Sequence, residues 1–226
     1  MSRLHYLLRA LETGGTNVLV NVGATDGFNR HNLNRGVEES MADIGEVLQA
    51  AKPRGVRVDV AISVVWGCPY DGPVDVHVPI ELGRRLQQMG CAEIVFGDTI
   101  GVATPSGVRE LASLAVEQLD GVELSMHFHD TRGMALANAL VALDCGVRAF
   151  EGSIGGIGGC PFAPNSTGNV CSEDLLDMVR DLGYKTGVDL ETMVDTARQL
   201  SDRLQAELPG RLHRAGPAPW LVKMPA

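Results

Sequence analysis

The chain has 226 residues, 45% hydrophobic and 21% charged, with a formal net charge of -9. That balance suits a soluble globular protein with a sizeable core, and the length suits one domain or a large part of one. The acidic excess and the absence of a Lys/Arg run argue against nucleic acid as a partner, although a local pocket can still be basic and take an anionic substrate. No signal-peptide pattern opens the chain and no apolar run approaches membrane-spanning length, so no membrane association is expected. The cysteines Cys68, Cys91, Cys145, Cys160 and Cys171 are odd in number and widely spaced. This argues against a disulfide framework or a zinc ribbon and points to a reduced, cytoplasmic protein.

The elements alternate between helix and strand. Leu4, Leu7, Leu8 and Leu11 have helical spacing before the Gly14-Gly15 stop. Residues 16–22 read as a strand, and Val37, Met41, Ile44 and Leu48 form the next helical stripe. A strand is expected over 56–65, then a helix with Val78, Leu82, Leu86 and Met89 on one face, then a strand over 93–96. Thr104-Pro105 is an N-cap with proline at the first helical position, opening a helix through Val108, Leu111, Leu114 and Ala115. A strand over 122–128, a helix over 133–144 and a strand over 147–153 follow. After a glycine-rich loop over 155–159, Ser172 is placed to cap a helix whose first turn holds Glu173 and Asp174. A long amphipathic helix begins near Asp189, and the proline-bearing tail from Pro209 lacks periodicity. The expected domain covers 1–208, with 209–226 an irregular C-terminal tail. Strands alternating with helices predict an α/β fold with a parallel sheet. A complete (β/α)₈ barrel has eight strands in about 250 residues. Five strands therefore imply an open sheet or a barrel missing its beginning, and the opening helix favours the second.

Three stretches carry candidate chemistry. The first is His127-Phe128-His129-Asp130 at the C-terminal end of a strand. Alternation points both imidazoles the same way, and active sites of parallel α/β folds lie at that end. Two readings are open, a shared metal ion or histidines satisfied by backbone carbonyls, and the strand-end position favours the metal. The second is Gly97-Asp98-Thr99-Ile100-Gly101, one strand over. Asp98 there is an acid/base group, a metal-site residue, or a cap for backbone N–H groups. The third is Gly155-Gly156-Ile157-Gly158-Gly159-Cys160-Pro161-Phe162, leading to Gly168-Asn169. It matches neither a Walker A loop nor a dinucleotide fingerprint. Its glycines suit a loop that closes over substrate or a tight connection around a buried, inert cysteine, and Asn169 is a structural turn residue or offers an amide oxygen suited to Mg²⁺ or Mn²⁺. Gly67-Cys68-Pro69-Tyr70 ends another strand and lines the same mouth or forms a turn. Arg132 and Lys185 are phosphate contacts or solvated surface, and no substrate-binding residue is assigned. His5, His31, His77 and His213 have no partner in sequence and are expected on the surface.

Taken together and in this order, residues 97–101, His127 to Gly133 with Ala137-Asn138, and Gly158 to Phe162 with Gly168-Asn169 resemble the 3-hydroxy-3-methylglutaryl-CoA lyase family. The resemblance runs from about Leu4 to Leu208 and includes Asn21 to Ala24, Val37 to Ser40 and Gly67 to Tyr70. It implies an incomplete TIM-type (β/α) barrel whose five strands correspond to the family's strands four through eight. It implies Mg²⁺ or Mn²⁺ held by His127, His129 and Asn169, with Asp98, Cys160 and His127 as catalytic residues. The implied activity is cleavage of 3-hydroxy-3-methylglutaryl-CoA, or a related 3-hydroxyacyl-CoA, to acetyl-CoA and a keto acid. The family also has an Arg-Asp pair ending its first strand, the Asp being a metal ligand, and nothing in this sequence matches it. A shortened lyase with poor dication affinity and little activity is therefore the expectation, with self-association expected of an unclosed barrel. Two alternatives are an acyl-CoA condensing synthase of the isopropylmalate type, which shares the His-x-His strand, and a non-catalytic remnant acting as a binding subunit. The Gly-Gly-Cys-Pro-Phe loop favours the lyase over the synthase.

Overall fold

Residues 3–159 and 168–218 are described by the computed structural model. Helix α1 (Arg3–Glu12) is followed by β1 (Asn17–Gly23), α2 (Asp26–Leu33), α3 (Val37–Ala51) and β2 (Arg57–Ser63). A small hairpin, β3 (Gly67–Cys68) and β4 (Gly72–Pro73), precedes α4 (His77–Met89). Then come β5 (Glu93–Asp98), α5 (Pro105–Gln118), β6 (Glu123–Phe128), α6 (Ala135–Asp144) and β7 (Ala149–Glu151). The chain continues through α7 (Ser172–Asp181), α8 (Leu190–Leu204) and the short α9 (Leu212–Ala215). The five expected strands form one parallel sheet in the order β1-β2-β5-β6-β7. Among the described residues that sheet is open, with β1 and β7 at its edges.

The two faces of the sheet differ because side chains alternate along each strand. One parity is apolar: Val60, Ile62, Ile94, Phe96 and Met126 are buried. They share a continuous core with Met41, Ile44 and Val47 of α3, Leu86 of α4, Leu111 of α5 and Ala139 of α6. The other parity is small or polar. The register aligns Asn21 with Ala61, Ala61 with Val95 and Val95 with Ser125. Nearer the C-terminal ends it aligns Gly97 with His127 and His127 with Glu151. At the opposite end of the strands, Arg57 binds Asp59, Glu93 and Glu123, each at 2.8 Å.

Several local expectations shift in the structure. Helix α2 was not anticipated; Thr25 caps it by accepting the Phe28 N–H at 3.4 Å, and Phe28 and Asn29 are buried. In α4 the buried face is Ile80, Leu82 and Leu86, while Val78 and Met89 are exposed. Strand β7 is shorter than 147–153 because its flanks bond elsewhere. The Val147 N–H closes the end of α6 on Ala142 O at 3.0 Å, and the Ser153 N–H donates to Val170 O at 3.1 Å. Cys171, not Ser172, is the N-cap of α7, and no side chain caps it. Asp174 instead accepts the N–H groups of Arg211 (3.0 Å) and Leu212 (2.7 Å). The segment expected to be irregular thus contains a helical turn docked on α7 and α8, and Leu208 and His213 are buried.

Phe96 sits fully buried at the centre of the apolar face, whereas Leu19 is 55% exposed on an edge strand. Phe96→Ala is expected to cost about 3–5 kcal/mol, and Leu19→Ser less than about 0.5 kcal/mol. Urea unfolding followed by circular dichroism separates the two, and equal losses would contradict this account of the core.

Candidate active site

The C-terminal end of β6 is extended by backbone pairing to a segment forty residues downstream in the fold. His129 and Asn169 form an antiparallel bridge. The Asp130 N–H donates to Gly168 O at 3.0 Å and the Val170 N–H donates to Phe128 O at 2.8 Å. Residues opposed in such a bridge project to the same side, and His127 lies two residues back on the same strand. The structure therefore gathers His127, His129 and Asn169 on one face. The two imidazoles have ring centroids 5.1 Å apart, tilted by 56°.

Each of these side chains is held by a second group. His127 Nδ1 lies 3.0 Å from Glu151 Oε2 on the neighbouring strand, which leaves Nε2 as the ring's other coordinating atom. His129 is 7% exposed and its ring is hydrogen-bonded to the backbone of Gly168. Burial, reinforced by the nearby His127, lowers its pKa to about 4, so it is neutral at physiological pH. The Asn169 amide donates from Nδ2 to Ile157 O at 3.1 Å, while its Oδ1 is buried without a hydrogen-bond partner among the described residues. Two imidazoles and an amide oxygen on one face fit a divalent cation, and an acceptor-only oxygen is the donor that Mg²⁺ or Mn²⁺ prefers. None of the three donor groups is anionic, and no cluster of three His, Cys, Asp or Glu side chains suited to a metal occurs among the described residues.

Asp98 ends β5, in register with Phe128, one position beyond the pair Gly97 and His127. Its Oδ1 accepts the N–H groups of Val102 and Ala103 at 2.8 and 3.1 Å. The turn-capping role open to it in sequence is thus realised. Its Oδ2 is buried without a hydrogen-bond partner. Burial raises the carboxyl pKa to about 6, against the lowering effect of those two N–H groups and of the Arg132 and His127 charges. Asp98 therefore exchanges a proton near neutrality. Cys160 lies outside the described residues. Arg132 donates to the carbonyls of Ile100 and Gly101 at 2.9 and 2.8 Å, which ties two loops of the mouth together.

Residues 1–200 match the HMGL-like family. The chain belongs to the HMGL-like family. The hydroxymethylglutaryl-CoA lyase of Pseudomonas mevalonii is 43% identical over 195 residues, which cover 86% of this chain and 65% of that protein. The mitochondrial hydroxymethylglutaryl-CoA lyase of Gallus gallus is 37% identical over 206 residues, covering 91% of this chain and 69% of that protein. A solved hydroxymethylglutaryl-CoA lyase from Pseudomonas aeruginosa superposes with a TM-score of 0.89 at 39% identity, covering 99% of this chain and 73% of that one. An HMG-CoA lyase from Acinetobacter baumannii, in complex with coenzyme A and 3-methylmalate, superposes with a TM-score of 0.91 at 31% identity, covering 98% and 72%. The chain spans about 65% of the length of the first of these relatives. This HMGL-like chain is thus a partial TIM-type barrel of five parallel strands.

Sequence reasoning missed Glu151, which faces His127, and the Asn21–Ser63 pair on the same sheet face, where Asn21 Nδ2 donates to Ser63 Oγ at 2.7 Å. The signal for both is alternation combined with register, and register is not legible before the strands are aligned. His213 was expected on the surface. It is 4% exposed, held beneath α8 because Arg198 Nε donates to its carbonyl at 2.7 Å.

The Asp98 shift has a measurable sign. Its folded pKa lies above the unfolded value of 3.8, so the stability contribution is full below about pH 4 and is lost as pH rises through about 6. Asp98→Asn keeps the Oδ1 acceptor and does not ionise. Relative to wild type, its stability is expected to improve by about 2–3 kcal/mol between pH 4 and pH 7.5. Urea titrations of both proteins at the two pH values measure this difference, and a pH-independent difference would overturn the assignment.

Proposed function

We propose that this chain carries the metal and proton-transfer face of a carbon–carbon lyase. It cleaves 3-hydroxy-3-methylglutaryl-CoA, or a related 3-hydroxyacyl-CoA, to acetyl-CoA and a keto acid. The observation that carries the reading is the strand-end bridge between His129 and Asn169, two residues beyond His127, in a chain 43% identical over 195 residues to a hydroxymethylglutaryl-CoA lyase. In this reading those three side chains hold Mg²⁺ or Mn²⁺, which when bound supplies Lewis acidity toward the oxygens of the substrate. Glu151 keeps His127 in the tautomer and orientation that present Nε2.

Asp98 takes the proton of the 3-hydroxyl, to which its near-neutral pKa is suited. The C2–C3 bond then breaks, its electron pair passing to the acetyl-CoA fragment while the 3-carbon becomes a ketone. Cys160, on the glycine-rich loop, returns a proton to the acetyl carbon. An acyl-CoA substrate is supported by the coenzyme A complex of the Acinetobacter relative. The free thiols of Cys68, Cys91, Cys145 and Cys171 suit a reducing, cytoplasmic setting, and self-association along the exposed edges of the sheet is part of the same proposal.

The test is incubation of the purified chain with 3-hydroxy-3-methylglutaryl-CoA and Mn²⁺, with acetyl-CoA followed by mass spectrometry. The expected result is slow acetyl-CoA formation, because the chain supplies no anionic metal ligand, that falls further to the background rate in His127→Ala and in Asp98→Asn. Absence of cleavage, or condensation of acetyl-CoA with a 2-keto acid instead, would sink the proposal.

A further inference from the structure

The Asn169 amide has two orientations open to it, which exchange the places of Nδ2 and Oδ1. What selects between them is the Ile157 carbonyl, which accepts from Nδ2 at 3.1 Å. Ile157 ends a tight turn over Ile154–Gly156, and the Ser153 hydroxyl also donates to its carbonyl. That turn is itself anchored by a carboxylate of α7. Both carboxylate oxygens of Glu173, which is fully buried, accept the Gly155 N–H at 3.2 and 3.0 Å. His213 Nδ1 lies 3.6 Å from Glu173 Oε1, too far for a hydrogen bond, and both side chains are almost wholly excluded from water.

The segment bearing His213 presses on the same turn. The Gly210 N–H donates to Gly155 O at 2.9 Å. Gly155 has φ +66°, and a Cβ there would come within 2.3 Å of Leu208 Cδ1, so only glycine suits the position. Asp174 and Arg198 fix the backbone around His213 from two further helices. A carboxylate buried without this company would be costly, so the segment and the acid require each other.

We propose that the C-terminal segment 206–216 is a positioning device: packed on Gly155 and around the buried Glu173 and His213, it locks the Gly155 turn, and so fixes the Asn169 amide with Nδ2 on the Ile157 carbonyl. Glu173 and His213 act through Gly155 and Ile157, and they are positioning residues. The use of that orientation for a metal ion rests on the function proposed above; the orientation itself does not.

The test is ¹⁵N-resolved NMR of the side-chain amides of Asn169 and Asn138, assigned with Asn169→Ser. Asn138 is a built-in control, since its Nδ2 donates to Ala103 O at 3.0 Å at a separate buried place. In His213→Leu the Asn169 amide protons are expected to exchange about tenfold faster, and in Glu173→Gln about threefold faster, with Asn138 unchanged in both. Glu173→Gln keeps an acceptor for Gly155 and should show the smaller effect. Unchanged Asn169 exchange in folded His213→Leu overturns the proposal, as does equal acceleration at Asn169 and Asn138, which would mean general loosening. Mn²⁺ added to the wild type tests the metal reading separately. Failure to broaden the Asn169 signal defeats that reading, and the exchange result decides the positioning role on its own.

Discussion

Backbone pairing between the end of β6 and residues 168–170 is the constraint on which the site depends. Strand alternation alone can align His127 with His129, because both belong to one continuous chain of peptide units. It cannot bring an asparagine from forty positions away onto the same face. The two N–H···O bonds flanking the His129–Asn169 bridge do so. Because those bonds are main-chain bonds, the placement of Asn169 is insensitive to most side-chain changes nearby, while the direction of its amide is left to the adjoining turn.

The chemistry of the site follows from how the sheet divides its faces. Helices α3 to α6 cover an apolar parity that supplies the core. The opposite parity carries Asn21, Ser63, Ser125, His127 and Glu151, with small residues such as Ala61 and Gly97 between them. Among the described residues, Ser125 Oγ and Asn21 Oδ1 on that face are buried without hydrogen-bond partners, as are Asn169 Oδ1 and Asp98 Oδ2. Leaving several such atoms unsatisfied is costly in an ordinary core and is characteristic of a surface shaped for polar ligands.

Much of the fold was legible in the sequence. All five parallel strands lie where β-rich runs predict them, and Thr104-Pro105 opens α5 as its chemistry requires. What escaped was long-range. His127, His129 and Asp98 could be singled out because their strand-end positions are a local property. Glu151 could not, since its role comes from a neighbour twenty-four positions away. His213 was misplaced for the same reason: nothing in its local sequence announces a buried carboxylate forty residues earlier. Asp174 appeared to belong to the first turn of its own helix, yet its oxygens serve the backbone of the C-terminal segment. Boundaries shifted where a terminal N–H found a partner outside the ladder, as Val147 and Ser153 did.

The Arg57 cluster lies at the end of the sheet remote from these groups. One guanidinium there serves three acids on three adjacent strands. The arrangement is redundant in one direction only. Loss of any single carboxylate leaves the arginine with two partners, whereas loss of the arginine leaves three like charges crowded together. Mutational tolerance at that end is therefore asymmetric: the acids can drift one at a time, and the base cannot.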